Sequence, residues 1–219
     1  MYYIVFDLEF SVLRNRQYNA DILEIGAIKL LEEDGQLAMI DLFHTHVRPS
    51  QHRTITPLTT QFTGITQEQV DNAPSFHEAA SAFKEWLGED TYYLCSWGPD
   101  DKYQLVRHCR EHNLGLDWIC NYNDIQLMYT RLQGGDYGQR WGLKKALKAA
   151  HLPFFGNHHN ALDDAFNTAK LFKLIFAKLI FEKNNAAYES AYTTSLVYST
   201  GNEKFTPFSG LAALLEQAM

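Results

Sequence analysis

The sequence predicts a mixed α/β domain, a sheet flanked by helices. Three observations carry that expectation. Three strand-like segments follow one another within the first 47 residues, strand and helix patterns alternate after them, and a chain of 219 residues with 46% hydrophobic content can bury the core of one domain.

Residues 2–10, YYIVFDLEF, are dense in β-branched and aromatic side chains and too short for a typical helix, so they read as a buried strand. Side chains alternate across a strand. Val5, Asp7 and Glu9 therefore share one face, and Ile4, Phe6, Leu8 and Phe10 share the other. ILEIGAIKLL at 22–31 and MIDLFHTHV at 39–47 are the next two strands, with EEDGQ as the turn between them. Short connections between the three predict an antiparallel meander.

After Pro49 the pattern becomes helical. Thr66 with Gln69 three residues on resembles a capping box before a short helix that must end near Pro74. Ser75 caps FHEAASAFKEWLG, whose Phe76, Ala79, Ala80, Phe83 and Leu87 recur at helical spacing, and Gly88 stops it. TYYLCSW at 91–97 has strand composition, and GPDD breaks it before a helix carrying Leu105, Val106 and Cys109. Residues 117–123 are the candidate for a last short strand, followed by a helix through Leu127 and Leu132 and another in GLKKALKAAHL. The final helix is ALDDAFNTAKLFKLIFAKLIF, with the stripe Ala165, Ala169, Phe172, Phe176 and Leu179 opposed by Lys170, Lys173 and Lys178. Residues 183–219 differ in composition, with LAALLEQ as the one short helix candidate. They read as an extension of the 1–182 domain, packed on it or on a partner.

Composition narrows the function classes. A formal net charge of −7 argues against a protein that holds nucleic acid through a broad basic surface. Clustered carboxylates that bind cations would carry such charge until the metal arrives. Cys95, Cys109 and Cys120 are odd in number and lack the C-x-x-C spacing of a zinc or redox site, which fits a reduced, cytoplasmic protein. Neither a secretory leader nor a membrane span of about 18 apolar residues is apparent.

Three motifs carry possible chemistry. Asp7-x-Glu9 puts two carboxylates side by side on an otherwise apolar strand, which costs several kcal/mol unless something positive compensates them. His159 precedes Asp164 by five residues in HNALDDA, at the mouth of the most apolar helix. SWGPDD places Asp100 and Asp101 at a strand-to-helix break. Each alone has an ordinary explanation: a solvated strand end or pairing with Arg14 or Arg16, a favourable first helical turn, and an N-cap.

Taken in order, D-x-E on the first strand, an Asp after the fourth and H-x-x-x-x-D opening a late helix resemble the DEDDh exonuclease family of the ribonuclease H-like fold. The likeness spans about residues 1–180, with ILEIGAIKL and TGITQEQVDNAPSF as intermediate landmarks. SWGPDDKYQL and FDLEF look most like the branch of RNA 3′-end exonucleases related to the histone-mRNA 3′ exonuclease and its bacterial sporulation-inhibitor relatives. The resemblance implies a mixed five-stranded sheet, three antiparallel strands then parallel ones. It also implies 3′-to-5′ exonuclease activity on single-stranded nucleic acid, RNA favoured over DNA, releasing nucleoside 5′-monophosphates.

By the same resemblance, Asp7 bridges two divalent cations, Mg²⁺ or Mn²⁺, Glu9 and Asp164 complete the first site, and Asp101 serves the second. His159 is the base that activates water. Asp100 is the fallback for Asp101, and His158 with Asp163 repeats the five-residue spacing one position earlier. Phe10, Phe62 and Trp97 are the aromatic candidates for holding a terminal base, and Phe10 and Phe62 could instead be core. Phe10 and Ser11 stand where the family often has Thr after the Glu. The expected partners are single-stranded RNA or DNA 3′ ends, with no membrane. The rival expectation is a catalytically silent nucleic-acid or nucleotide-binding protein of the same fold.

Overall fold

A computed structural model of the chain describes residues 1–13, 20–135 and 138–189. Arg14, Arg16 and the LAALLEQ segment lie outside the described residues. The sheet has five strands in the order β3-β2-β1-β4-β5, where β1 is Tyr2–Phe10, β2 is Ile22–Glu33, β3 is Gln36–His46, β4 is Tyr92–Ser96 and β5 is Asn123–Asp124. The first three strands pair antiparallel, and β4 and β5 add parallel. This is the ribonuclease H-like arrangement expected.

The β2–β3 hairpin is longer than the sequence pattern suggested. Asp34 and Gly35 both take positive φ, 52° and 76°, which is the two-residue turn whose twist matches that of paired strands, so pairing runs out to Glu33 and Gln36. The fifth strand is shorter than residues 117–123. Asn121 has φ 51°, and its amide is taken by the Asn184 carbonyl at 2.7 Å, which leaves Asn123 and Asp124 to pair with β4.

Between β3 and β4 lie α1 (Pro57–Thr63), α2 (Gln67–Asp71) and α3 (Phe76–Leu87). Both capping boxes form: Thr66 with Gln69 opens α2, and Ser75 with Glu78 opens α3. α1 was not separately expected; Thr56 caps it and Gly64 in the left-handed region ends it. After β4 come α4 (Asp100–Glu111), α5 (Ile125–Leu132), α6 (Leu143–Ala149) and α7 (Ala161–Ile175).

Strand alternation divides the core as anticipated. Ile4, Phe6 and Leu8 pack with Phe76, Phe83, Leu105 and Val106 on the face covered by α3 and α4. Tyr3 and Val5 pack with Ile125, Leu147, Ala165, Ala169 and Phe172 on the face covered by α5, α6 and α7. Each fully buried ring or branched side chain here, such as Phe83 or Phe172 at 0% exposure, contributes about 1.5–3 kcal/mol. α7 ends at Ile175, before the predicted Phe176 and Leu179, because the chain turns back. Phe176 then packs edge-on and Phe181 tilted against Tyr3, with ring centroids 5.0 and 4.9 Å away. Residues 183–189 pack on the domain, where the Ala186 amide donates to the Ile119 carbonyl and Ala186 is fully buried. Among the described residues, no helix is long and apolar enough to cross a membrane.

Candidate active site

β1 is the central strand, and Asp7 and Glu9 project from its α7 side near its carboxyl end. α7 reaches them because of what lies opposite. Gly26 is the register partner of Asp7, and a β-carbon there would sit 2.3 Å from the Ala161 carbonyl carbon and 2.3 Å from the Leu162 nitrogen. The missing side chain lets the first turn of α7 rest on the strand. Glu24, the partner of Glu9, then ties that turn down. Its Oε2 accepts from the Ala161 amide at 3.0 Å and its Oε1 from the Asn160 side-chain amide at 2.9 Å. Asn160 in turn caps α7 by accepting from the Asp163 amide. Asp164 is thereby delivered to the carboxylates of β1, where ligand oxygens of Asp7, Glu9 and Asp164 all lie within 4.8 Å of one another.

Asp101 joins from the first turn of α4. Its Oδ1 accepts from the Leu8 amide at 3.1 Å, the peptide between the two acidic residues of β1. The N-cap of α4 is Pro99, with no side-chain cap, so neither Asp100 nor Asp101 serves as an N-cap. Asp101 is 7% exposed, Glu9 6% and Asp164 5%, whereas Asp7 keeps partial access to solvent at the mouth. Asp100 is only half-buried and lies within electrostatic reach of Arg140 and Asp124.

The electrostatics follow from crowding. Burial, then Asp101, Asp164, Glu9 and Glu24, push Asp7 well above the usual carboxylate range. Glu9 is pushed up by burial and by Asp164, Glu24 and Asp101. Asp101 is raised by burial and Asp100, against the opposing hydrogen bonds of the Leu8 amide, its own amide and Ser96. Such a set is tolerable when protonated or when cations sit among the oxygens. An all-oxygen donor set of this kind fits hard divalent ions.

The two histidines meet the same carboxylate. His158 Nδ1 lies 3.1 Å from both oxygens of Asp164, while the His159 backbone amide donates to Asp164 Oδ2 at 3.0 Å. His159 takes a positive φ of 63°, and its ring lies between Phe62, 3.9 Å away at 35°, and His158, 4.0 Å away at 29°. Burial, reinforced by His158, lowers the His159 imidazole to about 4, so it is unprotonated at neutral pH. Asp163 turns elsewhere and accepts from the Asn157 amide at 2.7 Å. Of the aromatic candidates, Phe62 stands at the site. Phe10 is partly buried against the α3 and α4 side of the core. Trp97 packs 5.7 Å from the Tyr129 ring and donates to the Trp141 carbonyl at 3.0 Å. Gly26 and Glu24 were missed by sequence reasoning, although both lie in the ILEIGAIKL landmark.

The family model described as Exonuclease (RNase_T) matches residues 4–172. The chain belongs to this exonuclease family. Its class is 3′-to-5′ exonuclease, acting on nucleic acid. Among curated relatives, it is 28% identical over 178 residues to a probable 3′-5′ exonuclease KapD of Bacillus subtilis, covering 78% of this chain and 83% of that one. It is 26% identical over 200 residues to ERI1 exoribonuclease 3 of Mus musculus, covering 85% of this chain but 57% of the relative's length. Among solved structures, the nuclease domain of 3′hExo, a DEDDh family member bound to rAMP, superposes with a TM-score of 0.75 at 22% identity. That match covers 84% of this chain and 96% of the other, and shows the common fold.

Proposed function

We propose that the domain hydrolyses single-stranded nucleic acid, RNA in preference to DNA, from its 3′ end and releases nucleoside 5′-monophosphates one at a time. The observation that carries this reading is the convergence of Asp7, Glu9, Asp101 and Asp164 from three separate elements, where burial and mutual repulsion raise Asp7, Glu9 and Asp101 and where cations among the oxygens would relieve the crowding. Asp7, Glu9 and Asp164 would hold one cation, and Asp101 with Asp7 would hold the other. Two Mg²⁺ or Mn²⁺ ions bound there would acidify a water on one side of the scissile phosphate and stabilise the departing oxygen on the other.

The chain's own side chains do the rest. His159, unprotonated at neutral pH, accepts the proton of the attacking water. Water oxygen bonds to phosphorus as the bond from phosphorus to the 3′-oxygen of the penultimate nucleotide breaks, and that oxygen takes a proton from solvent. The terminal nucleotide leaves with a 5′-phosphate, and the shortened chain ends in a 3′-hydroxyl. Phe62, already against His159, offers its face to the terminal base. RNA preference is supported by the exoribonuclease relative and the structural neighbour bound to rAMP.

The test uses 5′-labelled single-stranded RNA and DNA with Mg²⁺ or Mn²⁺, and EDTA as control. Stepwise shortening from the 3′ end, with 5′-monophosphates as the small product, is expected, and faster on RNA. Binding with metal but no shortening would favour the silent regulatory reading.

A further inference from the structure

We infer that Glu24, His44 and His46 form a second cation site, separate from the catalytic carboxylates, that selects a zinc-class transition metal. The sheet builds it by register. Glu9, Glu24 and His46 are consecutive partners across β1, β2 and β3, and the neighbouring row is Asp7, Gly26 and His44. His44 and His46 alternate with Thr45, so both rings stand on the same side of β3, with centroids 5.2 Å apart at 79°. Partner side chains in adjacent strands share a face, which brings Glu24 to them.

Glu24 Oε1 is 2.6 Å from His44 Nε2, and one donor atom from each of the three residues falls within 4.8 Å of the others. Donors around a tetrahedral zinc stand about 3.3 Å apart, since zinc bonds to imidazole nitrogen and carboxylate oxygen at about 2.0–2.2 Å. Small rotations of two partly exposed imidazoles would meet that spacing.

The chemistry sets this cluster apart from its neighbour. The catalytic group offers only oxygens, which suit Mg²⁺ and Mn²⁺. Two imidazole nitrogens and one carboxylate suit zinc and its neighbours in the first transition row. Glu24 is fully buried, and its other hydrogen bonds come from Asn160 and the Ala161 amide, so the carboxylate is oriented in advance by groups outside the triad. His44 is exposed and His46 half-buried, which leaves a route for an ion and open coordination positions for water. His44 now meets the carboxylate by hydrogen bonding; an incoming divalent ion would displace the proton between them and join β2, β3 and the first turn of α7 through one centre. Zinc should therefore raise the melting temperature of the chain even when the catalytic site is disabled.

The test uses the full chain carrying Asp7→Asn and Asp164→Asn, which removes the catalytic carboxylate set and the neighbouring set of His158, His159 and Asp164. Titration with Zn²⁺, and with Co²⁺ for its visible absorption, should show one equivalent bound, unaffected by excess Mg²⁺, with a rise in melting temperature. His44→Gln and His46→Gln in that background should each weaken binding at least about tenfold. Paramagnetic shifts from Co²⁺ in the histidine signals of the background chain locate the ion without further substitution, so the test stands even where a variant loses its fold. No stoichiometric uptake, uptake indifferent to both glutamine variants, or an ion located away from His44 and His46 would overturn the inference while leaving the nuclease reading intact.

Discussion

Gly26 and Ala161 touch so closely that a β-carbon on the glycine would lie 2.3 Å from the alanine carbonyl carbon. Because Gly26 pairs with Asp7 in the sheet, this contact sets how near the first turn of α7, and Asp164 within it, comes to the central strand. A backbone neighbour cannot swing aside as a flexible side chain would.

Gly26→Ala should therefore push α7 off the sheet. The expected outcome is a stability loss of about 1–3 kcal/mol by urea unfolding, with an activity loss of roughly 100-fold, since displacement of about 1 Å at reacting groups has that effect. Full activity in a folded Gly26→Ala protein would show that α7 need not sit this close.

Acidity should act differently on the metal-free and the metal-bound chain. Asp7, Glu9 and Asp101 all have raised folded pKa values, so between the unfolded carboxylate range of about 4 and those raised values the folded chain holds protons that the unfolded chain has released. Stability from these groups is present at low pH and lost as pH rises. His108 and His159, both lowered to about 4 chiefly by burial, act in the other sense, but only between about 4 and about 6.5. The carboxylates therefore contribute a share of the melting temperature in EDTA that falls as pH rises above about 4, and saturating Mn²⁺ should remove that share of the slope. Asp7→Asn should flatten the EDTA slope, stabilise the metal-free chain by about 1–2 kcal/mol, and abolish hydrolysis. An unchanged slope in that variant would mean the carboxylates are not strained.

His159→Ala should leave the proposed carboxylate ligands in place while removing the proposed proton acceptor. Turnover is expected to fall by about 100- to 10,000-fold, with the Mn²⁺-induced rise in melting temperature retained. Comparable losses in His158→Ala and in His159→Ala would instead point to a shared role, since both contact Asp164.

Phe62 stands against the His159 ring rather than in either large core cluster. Phe62→Ala should weaken binding of short oligonucleotides by about 1–3 kcal/mol, and Phe62→Tyr should restore most of it. Equal loss of binding in both variants would assign the ring to packing around His159.

Local physical chemistry made much of this legible without coordinates. The two-residue alternation of YYIVFDLEF put Asp7 and Glu9 on one face, and Thr66 with Gln69, and Ser75, marked helix starts that the structure retains. Where the sequence reading fell short, competing tertiary contacts prevailed. The aromatic cluster around Tyr3 ended α7 early, and the asparagines at 121 and 184 shortened β5.

By itself, then, the sequence determined the alternating strands, the capped helices and the ordered acidic motifs, because periodicity and capping are properties of neighbouring residues. Only the tertiary structure brought Asp101, rather than Asp100, to the Leu8 amide, gave Glu24 its hold on α7 and set it beside His44 and His46. Those relationships depend on strand register and on how closely a helix can approach a glycine. Distances between groups more than a hundred residues apart, such as Glu24 and Ala161, arise from packing and are written in no local pattern.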